Sequence, residues 1–421
     1  MKPTTAAQNF KNGEVHDWYR LVLGYSDHLV SDLLTEFRIS KGKAVLDPFG
    51  GSGTTAVESM KRSIACWSID ANPVSCFAAT VKTSWELRPL LIKRYCAAIL
   101  MRQQKLRART LVLRQDPTYK YLRDSGMIER GWIDRDPLYD IIALKHAIRA
   151  SRIEDSYKNF FLLATADVLV RSASNVKFGP ELYCSKRTKI DVLAAYKRKI
   201  LTMVEDLEAT AGVARGTAKI LLGDSRRFDT GWVSPPVGGF SAVICSPPYP
   251  TEHDYTRNTR LELAFLEAVI DKESLQAIKK SMIRSHTKGI YKEDSDARHV
   301  EGIAVIQKLS ERVERAAIGK QYGFARLYGR VVKEYFGGMY RHFKSVLPLL
   351  TTGAKCAYVV GDQASYFQVH ISTASILGEV AQAAGFNVIG IRKWRQRWAT
   401  STRSYLNENI LLLEKPIVQG L

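Results

Sequence analysis

The chain has 421 residues, 46% hydrophobic and 25% charged, a makeup that suits one large sheet with a substantial insertion, or two domains, and excludes disordered, collagen-like and coiled-coil proteins. Sixty-two Lys and Arg against 42 Asp and Glu leave a net charge of +20, which favours a polyanionic partner, nucleic acid ahead of an anionic membrane surface. No apolar stretch reaches the length of a spanning helix and the start, MKPTTAAQNFKNGEVHDW, has no apolar core, so a soluble protein with no membrane partner is expected.

In chain order, 43–49 (KAVLDPF) and 64–70 (IACWSID) read as apolar strands of a parallel sheet, with 54–62 (TTAVESMKR) as the helix between them in a compact βαβ unit. A helix-rich stretch, 86–215, follows and is far longer than an ordinary connection, so it is expected to be a subdomain. It carries Lys93, Arg94, Arg102, Lys105, Arg107, Arg109 and Arg114 with no acid among them, then Lys186, Arg187, Lys189, Lys197, Arg198 and Lys199. Each cluster is either a solvated helix face or a phosphate-contacting one, and the global charge favours the second. Strands are expected at 218–222, 241–245, 355–360, 386–392 and 409–413, seven in all, with a second helical insertion over 256–344 whose most loop-like and basic part is IRSHTKGIYK at 283–292. The six cysteines show neither a C-x-x-C pair nor a nearby His, so no metal site or disulfide framework is indicated, and reduced thiols in a cytoplasmic protein are expected.

Two runs carry chemistry. The first, Asp47-Pro48-Phe49-Gly50-Gly51-Ser52-Gly53-Thr54-Thr55, lies where a strand ends and a helix begins, the place where open α/β sheets bind ligands. Its glycines let the backbone turn sharply and approach a ligand. No Lys follows the last Gly, which excludes a phosphate-binding Walker loop, and the G-x-G-x-x-G spacing of a dinucleotide fold is missing. Asp70 closes the next strand about 20 residues on, where a carboxylate can accept from ribose hydroxyls; capping of the following helix is the alternative. A ligand with adenosine but no phosphates needs such a carboxylate and no Lys. Asp224 (LLGDSRR) follows a later strand and is either a further ligand contact or a turn residue.

The second run is Ser246-Pro247-Pro248-Tyr249, directly after the strand at 241–245. An exocyclic amine on a base is a poor nucleophile until acceptors hold its hydrogens in pyramidal geometry. The Ser246 hydroxyl and the Pro247 carbonyl can be those acceptors, the two prolines fix the loop, and Tyr249 can stack on the base. A base is unreachable inside a duplex, so the target must be flipped out.

With both runs in one chain, the sequence resembles the amino-group DNA methyltransferases: DPFGGSGTT matches their F-x-G-x-G motif at Phe49, Gly51 and Gly53, and S-P-P-Y is the form typical of the cytosine-N4 members. The resemblance implies a Rossmann-like class I methyltransferase fold, α/β, with a seven-stranded sheet whose last strand is antiparallel and with large helical insertions. It implies S-adenosylmethionine as cofactor, held by Asp47, Phe49, Gly51, Ser52, Gly53 and Thr54, with Asp70 on the ribose and Asp224 on the adenine. It implies methyl transfer to the N4 amine of cytosine in double-stranded DNA, as part of a restriction-modification or epigenetic system with a cognate endonuclease. Adenine-N6 methylation is the nearest alternative, an RNA base methyltransferase a more distant one. Residues 16–34 look like the helix that closes the cofactor pocket, and the closing hairpin (RKWRQRW, then NENILLLEK) offers Arg392, Arg395 and Trp398 for DNA contact or solvation. In many S-P-P-Y enzymes the catalytic loop precedes the cofactor loop; here the cofactor loop comes first. The expected division is a catalytic domain over 1–85, 216–255 and 345–421, target recognition chiefly in 86–215, and 256–344 as its helper or rival.

Overall fold

The computed structural model describes residues 15–19, 21, 24–178, 182–185, 191–212, 215–319, 323–399 and 402–417. Lys186, Arg187 and Lys189, expected as DNA contacts or solvated surface, lie outside the described residues. The strands are β1 (Ala44–Asp47), β2 (Ala65–Asp70), β3 (Val176–Phe178), β4 (Leu182–Cys184), β5 (Ala218–Leu222), β6 (Phe240–Cys245), β7 (Leu350–Gly361), β8 (Asn387–Ala399) and β9 (Ser404–Glu414). β3 and β4 pair only with each other, as a small antiparallel hairpin that the sequence did not announce. The other seven form one sheet in the order β5-β2-β1-β6-β7-β9-β8.

Pairings from β5 through β7 are parallel, and β9 runs antiparallel to both β7 and β8. The protein therefore has the Rossmann-like methyltransferase fold, with the last strand reversed. The last three strands are longer than the expected 355–360, 386–392 and 409–413, because β8 and β9 continue past the sheet body as a two-stranded ribbon.

Alternation along each strand gives the sheet two apolar faces. Val45, Ala242, Ile244, Ala357, Val359 and Ile410 pack with the apolar stripe of α1 (Asp27–Glu36). Leu46, Val243, Cys356, Tyr358 and Leu411 face a layer that includes α13 (Ala304–Ala317), α14 (Tyr328–Val346) and α15 (Thr373–Ala384). Helices α2 (Thr54–Lys61) and α3 (Pro73–Lys82) join the βαβ unit to the insertion; α3 begins on Asn72, whose side chain accepts from Val74 N, with Pro73 in the first turn, where its missing N–H costs nothing.

The 86–215 insertion contains α4 (Pro89–Arg107), α5 (Thr110–Leu113), α6 (Pro117–Asp124), α7 (Arg135–Arg149), α8 (Asp155–Val168) and α9 (Val192–Ala209). Its core is continuous with Val57 and Met60 of α2, with Val74, Ala78 and Val81 of α3, and with Trp18. The segment after β6 holds α10 (Tyr255–Asn258), α11 (Arg260–Phe265) and α12 (Lys272–Ser281) before α13 and α14. Residues 256–344 divide between two cores. Leu261, Leu263 and Phe265 of α11 belong to the core of the first insertion, whereas α14 is the crossover helix between β6 and β7, packed on the sheet through Val331, Tyr335, Phe336, Met339 and Phe343. Its amphipathic pattern marks one apolar face but not the surface that receives it.

Candidate active site

Strand order reverses at β1, with β2 on one side and β6 on the other, so the loops leaving the carboxyl ends of β1 and β6 emerge next to each other. The glycine run follows β1, Ser246–Tyr249 follows β6, and Val45 and Leu46 lie opposite Ala242 and Val243. Thr55 Oγ1 in the first turn of α2 donates to the Ile244 carbonyl of β6 at 3.3 Å, tying the two loops' roots together.

Steric room dictates the glycines. A Cβ at Gly50 would lie 1.9 Å from Ser68 Oγ, and Gly53, at a left-handed φ of 89°, would press one 2.9 Å from Ala79 Cβ. The turn they permit brings Gly51 N to Asp70 Oδ2 at 2.9 Å, while Asn72 N donates to Asp70 Oδ1 at 2.7 Å. Each Asp70 oxygen keeps a further lone pair, and burial pushes the carboxyl up to about 6 against the opposing pull of these N–H groups. Asp47, fully buried, accepts from Phe49 N at 3.1 Å and from the Tyr25 hydroxyl at 3.1 Å. Burial raises it to about 7. Tyr25 also bonds the Thr55 hydroxyl, so the segment before α1 is seated on the glycine loop. Phe49 packs against the buried His342 ring, 4.8 Å between centroids. A small cavity of about 30 Å³ is lined among others by Tyr19, Leu21, Asp167, Arg171, Asn258 and Glu262. Leu21 reaches to 3.4 Å from where a Gly51 Cβ would be.

At the second loop, Ser246 Oγ donates to the Val359 carbonyl at 3.0 Å, which commits its proton and leaves its lone pairs as acceptors. The Pro248 carbonyl accepts from Tyr335 of α14 at 2.8 Å, and Tyr249 N donates to the Tyr255 hydroxyl at 3.1 Å. The Tyr249 hydroxyl donates to Glu408 Oε1 at 2.8 Å. Burial, then the Glu408 charge, hold this phenol well above its ordinary range, so it stays a donor. Asp254, just beyond this corner, caps α10 through Thr256 N and pairs with Lys279 at 2.6 Å. Burial opposes ionisation here, but the neighbouring His286 and Lys279 charges hold the carboxyl at about 2, where it is a poor base.

The structure brings Asp47, Phe49, Gly51, Ser52, Gly53, Thr54, Asp70, Ser246, Pro247, Pro248 and Tyr249 to one end of the sheet. Asp224 stands beside them after β5, but Arg226 grips its carboxylate through Nε at 2.9 Å and Nη2 at 2.7 Å and links it to Asp296 at 2.8 Å. Arg107 is bound by Asp136 and by Asp140, the latter at 2.7 Å, within the insertion's own packing, whereas Arg102 is exposed on α4. Arg392, Arg395 and Trp398 all lie on β8; Arg392 pairs with Glu36 at 2.9 Å, Arg395 with Glu408, and Trp398 meets Tyr405 edge to face. His16, Asp27 and Glu58 place potential metal-ligating atoms within 4.8 Å of one another, but Glu58 already bonds His16 at 2.8 Å and Lys61 at 2.9 Å, so an ammonium occupies the place of a cation. Sequence reasoning missed Tyr25, Asn72, Tyr335 and Glu408. For Asn72 the signal was there, since Asn before Pro at a strand-to-helix junction is a cap.

A doubly wound sheet with a reversed final strand, a glycine turn at its switch point and a Ser-Pro-Pro-Tyr corner beside it define a methyltransferase-type architecture. Known proteins agree. The chain is 24% identical to the Type II methyltransferase M.BsoBI of Geobacillus stearothermophilus across 96% of its own length and 86% of the relative's. It is 30% identical to the Type II methyltransferase M.MvaI of Kocuria varians over 32% of this chain and 28% of that protein. It is 25% identical to the Type II methyltransferase M.AvaI of Nostoc sp. (strain PCC 7120 / SAG 25.82 / UTEX 2576) over 42% and 38%. No family model matches. Among solved structures, TrmN from Thermus thermophilus overlaps at a TM-score of 0.32 and 11% identity, covering 95% of this chain and 52% of that one, a likeness too slight to add to the strand order.

Proposed function

We propose that this protein is a site-specific DNA methyltransferase that moves the methyl group of S-adenosylmethionine to the exocyclic N4 amine of a flipped-out cytosine, within a restriction-modification system. The observation that carries the reading is the adjacency of the glycine turn and the Ser246–Tyr249 corner on neighbouring strands. Likeness to one Type II methyltransferase over 96% of the chain supports it.

The residues present fit the cofactor. Gly50 and Gly53 leave no room for side chains, Asp70 offers acceptors for ribose hydroxyls, and the run Asp47–Thr55 holds no cation for phosphates. When bound, the sulfonium supplies an electrophilic methyl group. Ser246 Oγ, with its proton committed to Val359, accepts one amino hydrogen of the base, and the Pro247 carbonyl accepts the other. Those contacts draw the nitrogen lone pair out of conjugation, and the two prolines hold the acceptors without reorganisation. Tyr249 offers its ring to the extruded base in place of the lost stacking. After transfer the nitrogen's proton leaves to water, since the Ser246 hydroxyl already carries its own proton and Asp254 is committed to Lys279 and to capping α10.

The test is nucleoside mass spectrometry of DNA incubated with the protein and S-adenosylmethionine. N4-methylcytosine is expected, with Ser246→Ala losing at least about a hundredfold in kcat while cofactor affinity stays unchanged. N6-methyladenine would overturn the assigned base, and an equally active Ser246→Ala the assigned role.

A further inference from the structure

Across the carboxyl end of the sheet, Gly361 of β7 lies opposite Glu408 of β9, and Glu408 lies opposite Arg395 of β8, one continuous cross-strand row. Glu408 is buried, 5% exposed, and its carboxylate has two partners from different parts of the protein. Oε1 accepts from the Tyr249 hydroxyl at 2.8 Å, and Oε2 accepts from Arg395 Nε. The Arg395 guanidinium in turn lies 4.2 Å from the centroid of the Trp394 ring. Gly361 completes the row by being bare, since a Cβ there would come within 3.0 Å of Tyr249 Cε2. The Tyr249 ring thus passes over the bare Gly361 position of β7, with its hydroxyl held by a carboxylate that Arg395 also engages.

We infer that Glu408 is a positioning residue for Tyr249: it sets the plane of the ring that receives the extruded base, and the basic β8–β9 ribbon holds Glu408 in place through Arg395. This rests on the proposed function for the role of the ring, but not for the contact itself. A carboxylate is needed because it accepts on both sides. In Glu408→Gln one oxygen becomes an amide N–H₂, so either Arg395 faces a donor or the Tyr249 hydroxyl must turn from donor to acceptor, and the anchoring of the ring changes in both cases.

The experiment is a double-mutant cycle with Tyr249→Phe, Glu408→Ala and both together, read in kcat and KM for methyl transfer. If Glu408 acts through the hydroxyl, each single variant lowers kcat on the order of ten- to a hundredfold, the scale of a misplaced reacting group. The double variant is then no worse than the poorer single one, and KM for the cofactor does not move. Losses that multiply, or a cofactor KM that rises with kcat unchanged, overturn the inference. Glu408→Gln in the same cycle serves if Glu408→Ala does not fold. A second reading uses 3-fluorotyrosine at position 249: its fluorine resonance is expected to shift and broaden in Glu408→Gln, and an unchanged resonance overturns the contact. A wild-type protein that transfers no methyl group counts against the proposed function, while the fluorine resonance still decides whether Glu408 holds the ring.

Discussion

Asp70 stands between two demands: backbone N–H groups from Gly51 and Asn72 favour its charged form, and burial disfavours it more, leaving the carboxyl at about 6. A carboxyl raised in the folded state adds stability that is fully present below its ordinary value of 3.8 and is lost as pH rises through about 6. Ligand binding has the opposite sign, because ribose hydroxyls need the ionised acceptor. Affinity for S-adenosylmethionine measured by calorimetry is therefore expected to fall as pH drops through about 6. Asp70→Asn should weaken binding roughly ten- to a hundredfold at neutral pH, the worth of a charged hydrogen bond, and flatten the pH profile. A wild-type affinity that does not change across that range would remove Asp70 from the binding site. Asp224 teaches the converse: its place after β5 suits a ligand contact, yet Arg226, two residues on, takes up the carboxylate that a ligand would need.

Between elements, the joint of greatest consequence is Lys145 of α7, whose ammonium is fully buried and donates to Asp116 at 2.6 Å, Thr118 at 2.7 Å and Glu267 at 3.0 Å. It fastens the first turn of α6 and the turn after α11 to the insertion, so the segment that follows the catalytic corner cannot shift independently of α7. Lys145→Ala is expected to cost about 3–5 kcal/mol in urea unfolding, the usual price of leaving buried carboxylates without their cation. A loss under about 1 kcal/mol would place the joint with ordinary surface pairs. Burial opposes ionisation of Asp116, but the His146 hydrogen bond and the Lys145 charge hold it well below its usual range, so the joint should weaken as pH falls below about 4. Much of this architecture was legible in the residues: alternating apolar strands, the glycine turn and the Ser-Pro-Pro-Tyr corner are local patterns with local causes. What joins them is not local. Tyr249 and Glu408 are 159 positions apart, and nothing around either residue names the other. The role of α14 was equally hidden, because one apolar stripe fits an insertion core as well as a sheet.

For the molecule as a whole, the charge of +20 implies that the DNA binding proposed above should weaken steeply with salt. The structure separates cations free to meet phosphates from those already spent. Arg392 is exposed and held only by an exposed pair with Glu36, so Arg392→Ala should lessen the log–log salt slope by about 0.9, one released counterion. Arg107 is spent on Asp136 and Asp140, so its alanine variant should melt earlier and keep the slope. A slope unchanged by Arg392→Ala would take the ribbon out of the DNA interface. The strand order also has a consequence for how the chain is made. β2 finds its outer neighbour only in β5, where Asp70 lies opposite Leu222, and the whole of α4 to α9 is synthesised in between. On the ribosome the first two strands must wait with a backbone edge unpaired while the helices, whose contacts are closer in sequence, assemble first. Joining ends so far apart adds little to the free-energy cost, since loop entropy grows only logarithmically, but it delays the moment at which the edge is covered. The hazard for this protein is therefore aggregation of nascent chains during that delay, and cooler, slower expression or a chaperone that shields strand edges should raise its soluble yield more than any added stability of the finished fold.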